Sequence, residues 1–591
     1  MILLQPIAVI KHAYQDFWIY KRDYIKASVL FNLLRIAIIS PILGFLGKQI
    51  LKINGFDGIT ESTIFSLFKN PTSLALIALI LLIFIFAIFF EFGLYFLYAD
   101  HHDKYPLKFR QSLMKLLRKL RYFVSFQAVL FLIYFVLMIP LASIGLEGSF
   151  TSDLYIPHFI TDELMKTTSG KLLYGASLAL IFYVSMRLIY SIPYFVFNEK
   201  STILGGINYS WQFTKRTLIT TLLSLGGIVA IHSVITLLGI GLLFLPVMFI
   251  ETVALPVAPY VSAICLTLIE VLLFVSFSML QALFAEAIVT LLKNSEEIEH
   301  PISKTIYPTK HTRIVYPVIG IGLAIMTFFN YSYLTNNIYA PSTMIISHRG
   351  VTTDAIENTK SAIIAAKKEG ADMVEIDVQQ TKDRQFVLFH DDTLRRLGNS
   401  SKKISELTLE EVKQITLQEG NLKDKIPTLE DVLSLTDDLN MRLLIELKFE
   451  EEADGRNEAE LINMLYDRDL LSRHYVQGLN QTQIESFEIG APEVNTGYIV
   501  AFNLGSLPKT SADFMVMEEF SFNQNNLETA HKRQQQLFAW TINKQSLMRK
   551  YISMGADAII TDHPEQAQLI KQQLSENMSF TDRIKKYLDL R

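Results

Sequence analysis

Cysteine is almost missing from this 591-residue sequence. Its one thiol, Cys265, excludes an intrachain disulfide, and such sparse cysteine usage assigns no redox compartment. Charged residues are scarce too, at 19%, and the net charge is −4. No basic stripe in the second half offers a nucleic-acid footprint, so nucleic acid is not an expected partner. The first residues are apolar only as far as Lys11, without a basic start or a small-residue cleavage site, so no cleaved signal peptide is expected. No symmetric repeat and no pair of broken helices points to a transporter.

Hydrophobic residues make up 50% of the chain and are unevenly spread. Residues 1–335 hold nearly all the long apolar runs, whereas 344–591 read as a soluble α/β domain. A helix needs about 20 mostly apolar residues to cross a bilayer. Seven segments meet that length: Ala27–Leu46, Thr72–Tyr98, Phe123–Ile144, Leu172–Phe197, Leu218–Phe249, Val257–Leu292 and Ile314–Leu334. The fifth and sixth exceed one straight span, and Pro246 supplies a place to kink. A multi-pass α-helical domain over 1–335 is expected, followed by a short linker at 336–343.

Loop charge orients such a domain. Lys11, Lys21, Arg22 and Lys26 precede the first span, and Lys104, Lys108, Arg110, Lys115, Arg118, Lys119 and Arg121 fill the second loop. The loop at 145–171 is acidic. The expectation is a cell-membrane protein with a cytoplasmic N-terminus, seven spans and an extracytoplasmic second half. Arg35, Glu91, Arg187, His232 and Glu270 fall inside spans. They read as polar contacts within the bundle, with Arg35 and Arg187 snorkelling or pairing with a carboxylate on another helix.

From Met344 onward, short β-rich runs alternate with helical patterns, which suggests parallel strands with crossover helices. The runs are Met344–His348, Met373–Val378, Phe386–His390, Arg442–Lys448, Tyr475–Leu479, Thr496–Ala501, Phe514–Glu518, Leu537–Ile542 and Ala558–Thr561. The gap between the second and third is too short for a crossover helix, so these two read as an antiparallel extension. The remaining eight fit a (β/α)₈ barrel, placed at 344–570. Thr359–Glu369 and Glu458–Asp467 read as helices, 451–458 as a solvated loop, and 571–591 as a polar peripheral tail.

Short polar motifs end these runs: His348-Arg349-Gly350, Glu375-Ile376-Asp377, His390-Asp391 and Glu446-Leu447-Lys448. A parallel barrel places its chemistry at such strand ends. Carboxylates, histidines and cations together suit a divalent metal and two proton-transfer groups working on a phosphate ester. Adding Glu357-Asn358-Thr359, Trp540-Thr541 and Thr561-Asp562 before Pro564, the ordered set resembles the glycerophosphodiester phosphodiesterase family, within the phosphatidylinositol-phospholipase-C-like barrels. The resemblance covers about 344–568, and the multi-span half resembles the membrane domain of some bacterial members. Two positions depart from the family pattern: Ile356 replaces a proline, and Arg384 replaces a turn glycine.

The resemblance implies a TIM-barrel phosphodiesterase acting on a glycerophosphodiester or glycerophospholipid-derived substrate at a membrane. It implies that Glu375, Asp377 and Glu446 hold the metal, and their oxygen chemistry suits Ca²⁺ or Mg²⁺. It implies that His348 and His390 act as the general acid and base, with either the glycerol 2-hydroxyl or water attacking phosphorus. Arg349 and Lys448 are read as phosphate-binding cations. Glu357 is a possible secondary contact, to the metal or Arg349, or a carboxylate at a helix N-terminus. Trp540 would pack on glycerol carbons or fill the barrel. Asp391 would orient a histidine or cap a turn. His474, His531 and His563 are assigned no role. Two alternatives stand: a phospholipase-type enzyme acting on lysophospholipids or lipid-linked polyglycerophosphate, and a lipid-handling membrane protein whose barrel only binds.

Overall fold

The computed structural model describes residues 4–589 except 57, 61–62, 102–108, 124, 126, 128, 134–164, 166, 199, 295–314, 337–340, 449–455 and 576–577. The described residues fall into two compact units, one from 1–54 and 70–336, the other from 55–69 and 337–591.

The first unit is helical. Leu4–Leu34 continues through a π-helical turn at Arg35–Ile39 into Ser40–Asn54. Five described stretches are long and apolar enough to cross a membrane: Gln5–Asn54, Pro71–Asp100, Thr168–Phe197, Ile203–Val253 and Leu255–Lys293. Six of the seven expected spans fall on described helices, but the last, on the helix Val315–Asn336, has the shorter apolar stretch Ile319–Thr335. The expected span Phe123–Ile144 lies mostly outside the described residues, as does the linker. Pro246 sits inside Ile203–Val253 without ending it.

Polar groups inside this unit find partners within the protein, on another helix or one turn along their own. For Arg187, expected either to snorkel or to pair with a carboxylate, no carboxylate pair is found among the described residues. Its guanidinium lies 4.5 Å from the Trp211 ring centroid and donates to the Trp211 carbonyl. Arg35 donates to Asn32 Oδ1 at 3.3 Å, one turn away. Lys119, read from sequence as a loop charge, is buried, and its Nζ donates to the Asn198 carbonyl at 2.7 Å, just past the helix Ser191–Phe197.

The second unit is built on strands, numbered here in chain order. They are β1 Gly58–Thr60, β2 Met344–Ser347, β3 Met373–Gln380, β4 Phe386–Leu388, β5 Thr416–Glu419, β6 Leu422–Lys425, β7 Arg442–Leu447, β8 Tyr475–Gly478, β9 Asn495–Val500, β10 Asn503–Gly505, β11 Phe514–Glu518, β12 Gln536–Trp540 and β13 Ala558–Thr561. Eight run parallel in the order β2, β13, β12, β11, β9, β8, β7, β3, and pairing of β3 with β2 closes the barrel. β4 is antiparallel to β3, so the expected extension is present. The β5–β6 hairpin and the β1–β10 pair were not expected.

Alternation along the strands sorts the core into two layers. Ile345, Val374, Ile376, Leu443 and Ile445 join the large cluster shared with the surrounding helices. Ile346, Met373, Leu444, Phe514 and Phe538 form the separate cluster that fills the lumen. There Phe514 and Phe538 stack at 4.5 Å, and the Phe514 ring leaves no room for a side chain at Gly497.

Arg384 adopts the left-handed φ of 63° that its turn demands. Left-handed backbone costs a residue with a Cβ roughly 1–2 kcal/mol. This cost is offset by anchoring of the Arg384 side chain, which donates to Glu460 at 2.8 Å and Asn457 at 2.9 Å. Two expectations are corrected by burial. Glu458 is not on a solvated loop; it lies in the helix Arg456–Tyr466 and accepts from Gln483 at 2.6 Å. The expected peripheral tail contains the helix Phe580–Asp589, whose Ile584 is fully buried.

Candidate active site

The alternation that sends Met344 and Ile346 into the lumen brings His348 to the same side just past β2. By the same parity Met373 is followed by Glu375 and Asp377, Leu444 by Glu446 and Lys448, and Phe538 by Trp540. Register does the rest: Asp377 lies opposite Glu446, and Glu446 opposite Gln477. Of the expected site residues other than Glu357, Glu375 and Asp377 lie within β3, Glu446 and Trp540 lie near or at the C-terminal ends of β7 and β12, and His348, Arg349, His390 and Lys448 follow β2, β4 and β7.

Glu375, Asp377 and Glu446 each offer an oxygen, and these atoms all lie within 4.8 Å of one another. Asp377 is clamped by Asn358, which donates to Oδ2 at 2.7 Å and accepts from the Asp377 amide at 2.9 Å. The Arg349 amide donates to Glu375 at 2.9 Å, while its guanidinium reaches Asp377 at 3.3 Å and Glu357 at 3.2 Å. Lys448 Nζ is 2.5 Å from Glu446 and 3.5 Å from Asp377. The two cations expected to face a phosphate thus rest against the acidic trio.

Three buried carboxylates repel one another, and their acidities diverge. Burial pushes Glu375 well above the usual carboxylate range, and Asp377 and Glu446 push it the same way. Burial would raise Asp377 too, but Arg349, Lys448 and His390 outweigh it and hold Asp377 below its ordinary value. Such a set is short of positive charge. All-oxygen donors in a buried cluster fit a hard divalent cation, and the trio has the residues to hold one.

Each histidine is backed by a carboxylate. His348 Nδ1 is 2.7 Å from Asp562 Oδ1, and Asp562 is fixed by Asn543 at 2.7 Å. His390 Nδ1 is 3.0 Å from Asp391, which Arg396 grips at 2.8 and 2.9 Å. Arg396 also binds Glu357 at 3.1 and 2.5 Å, joining Glu357 to both arginines. A second group, Glu357, His390 and Asp391, also clusters within 4.8 Å. Its two carboxylates are already matched by two guanidiniums, Arg396 on both and Arg349 on Glu357. In each ring Nδ1 faces a carboxylate, which leaves Nε2 as the other nitrogen able to exchange a proton.

Asp391 orients His390, and Glu357 contacts Arg349, so both open readings resolve toward the site. Trp540 is half-buried against the lumen cluster, at the mouth. Sequence reasoning missed Asn358, Arg396, Asn543 and the role of Asp562. Asn358 and Asp562 lie within motifs already singled out; Arg396 and Asn543 sit in loops without periodicity and carry no such signal.

A strand-end acidic trio flanked by two carboxylate-backed histidines, on a closed barrel preceded by a helical membrane unit, defines the class of protein. Residues 10–332 match the family described as the membrane domain of glycerophosphoryl diester phosphodiesterase, and 348–566 match the glycerophosphoryl diester phosphodiesterase family. The chain belongs to the glycerophosphodiester phosphodiesterases that carry this membrane domain, and it is a phosphoric diester hydrolase. It is 34% identical to YhdW of Bacillus subtilis (strain 168) over 234 residues, covering 37% of this chain and 95% of that one. It is 32% identical to a glycerophosphodiester phosphodiesterase of Caldanaerobacter subterraneus over 232 residues, covering 38% and 95%. Among solved structures it is similar to an Oleispira antarctica phosphodiesterase in complex with sn-glycerol-3-phosphate, with 27% identity, 38% and 96% coverage and a TM-score of 0.35.

Proposed function

We infer that the barrel hydrolyses glycerophosphodiesters to glycerol 3-phosphate and an alcohol, with His348 and His390 moving the protons and Ca²⁺ or Mg²⁺ held by Glu375, Asp377 and Glu446. The observation that carries this reading is the acidic trio, within 4.8 Å, between two histidines whose Nδ1 atoms are occupied by Asp562 and Asp391. A bound cation supplies charge neutralisation at the phosphate. One imidazole Nε2 takes the proton of the attacking water or glycerol 2-hydroxyl, and the other donates a proton to the departing alkoxide; after 2-hydroxyl attack, water opens the cyclic phosphate to glycerol 3-phosphate. Arg349 and Lys448 turn from the carboxylates toward the phosphorane oxygens as its negative charge grows. Trp540 covers the glycerol carbons at the mouth.

We further read residues 1–335 as the membrane domain, 344–570 as the barrel and the site as extracytoplasmic. The basic residues Lys11, Lys21, Arg22 and Lys26 favour an inner N-terminus. The apolar stretch Ala27–Leu46 then crosses once, and the segment that follows Asn54 groups with the barrel unit. Support for the outer location therefore rests on one crossing and does not depend on counting seven.

The test is hydrolysis of glycerophosphocholine by full-length protein before chelation, after it, and after return of Ca²⁺ or Mg²⁺. Loss and recovery of activity are expected. Full turnover with metal absent by elemental analysis removes the cation from the reading. Protease added to intact spheroplasts should digest the barrel; digestion only after permeabilisation reverses the topology.

A further inference from the structure

The helices Ser40–Asn54 and Pro71–His101 belong to the membrane unit, yet the loop joining them groups with the barrel. Its strand β1 runs antiparallel to β10, with Gly58 opposite Gly505, Ile59 opposite Leu504 and Thr60 opposite Asn503. The approach is close: a Cβ on Gly58 would collide with Asn503 Oδ1 and lie 2.7 Å from the Ser506 carbonyl oxygen. β10 follows the C-terminal end of β9, so it belongs to the rim on which the catalytic groups stand. From β10 a chain of contacts runs around that rim. The Asn503 amide donates to Ser521 Oγ at 2.8 Å, Phe502 stacks on Phe520 at 5.9 Å, and the Glu519 amide donates to the Trp540 carbonyl at 3.1 Å.

The rest of the loop has an unusual surface. After Thr60 it turns into the short helix Ile64–Leu67, in which Leu67 is buried. Phe65 and Phe68 are 76% and 56% exposed, and Leu504 on β10 is 47% exposed. Large aromatics in water are costly, and in a loop bounded at both ends by membrane helices they suit the bilayer interface. Gly58 stands four residues beyond Asn54, a reach of at most about 14 Å.

We propose that residues 55–69 present substrate to the barrel: β1 clamps the rim loop after β9, and Phe65 and Phe68 seat that rim in the lipid interface, so the enzyme acts preferentially on glycerophosphodiesters carried by a membrane-borne lipid. This rests on the phosphodiesterase reading above and adds the substrate class. Gly58 and its neighbours are positioning residues and touch no reacting atom.

The test uses full-length protein in phosphatidylcholine–phosphatidylglycerol vesicles, with two substrates: soluble glycerophosphocholine and vesicle-borne lysophosphatidylcholine. Gly58→Val, which drives β1 off β10, should lower kcat/KM for the lysolipid about tenfold and leave glycerophosphocholine within about twofold. Phe65→Ser/Phe68→Ser should show the same split, and serves if Gly58→Val folds poorly. Equal losses on both substrates, no loss on either, or no lysolipid hydrolysis by the unaltered protein overturns the proposal. Ile59→Cys/Leu504→Cys in a Cys265→Ser background should cross-link on oxidation, as facing strand positions allow; failure to cross-link overturns the clamp. If glycerophosphocholine itself is untouched, the phosphodiesterase reading fails, and the cross-link still reports on the clamp.

Discussion

Buried carboxylates are set out differently among the membrane helices and at the barrel's acidic site. In the membrane unit Glu286 accepts from the Tyr24 hydroxyl at 2.6 Å, Glu91 from Gln281 at 3.3 Å and Glu270 from Asn330 at 2.8 Å. Each bond joins an acid to a neutral donor on a different helix, and all three involve Ala258–Asn294. In the barrel unit Glu375, Asp377 and Glu446 crowd one another on adjacent strands. Acids spaced one by one and matched to neutral donors act as glue between helices. Acids packed together hold repulsion that folding alone would not select, and that is the mark of a working site.

The sharpest way to break this comparison is to remove one acid from the crowd. Glu375→Gln should cut turnover by about a thousandfold, while metal-free protein melts no lower than the parent because repulsion is relieved. Assay and thermal unfolding in detergent check both halves, and a large drop in melting temperature would make the trio structural. Next come the histidines. His348→Ala and His390→Ala should each lower turnover by about a hundredfold or more on folded protein. Near-normal rates in either variant remove that histidine from the mechanism.

A third test concerns a buried titratable group away from the crowd. His474 is fully buried, and its Nδ1 accepts from the Leu443 amide at 3.0 Å, so the ring must stay neutral. Burial, helped by Arg473, lowers its pKa to about 4. The unfolded chain binds this proton near pH 6.5, so stability is complete above that value and falls as pH drops toward 4. The loss should reach about 3 kcal/mol, and His474→Gln should flatten it in denaturant titrations of the barrel signal. The smallest effect belongs to the glue. Tyr24→Phe should leave turnover unchanged and cost about 1 kcal/mol of stability. A hundredfold loss of activity there would erase the distinction between the units.

Much of the barrel was legible because parallel strands write themselves as short apolar runs. All nine expected runs became strands, and the polar residues ending them became the site. The alternation that made Ile445 and Leu447 core residues is what aimed Glu446 and Lys448 inward. The residues that hold the site were less visible. Arg396 acts from a loop with no period, and Asn358 acts through a left-handed turn of φ 58° that its motif does not announce. β1 was invisible for another reason. It is three residues long, begins with glycine, and its partner lies in a distant part of the chain. Only tertiary pairing makes it a strand.

The filled lumen has a kinetic consequence. Phe514 and Phe538, stacked on the neighbouring strands β11 and β12, belong to an apolar cluster that fills it beneath the polar mouth. In the proposed reaction substrate and product would share that mouth, and a lingering glycerol phosphate would exclude the next diester from the same carboxylates and cations. On that reading traffic at the rim would gate turnover, and whatever loosens or tightens that rim would set how long each product overstays.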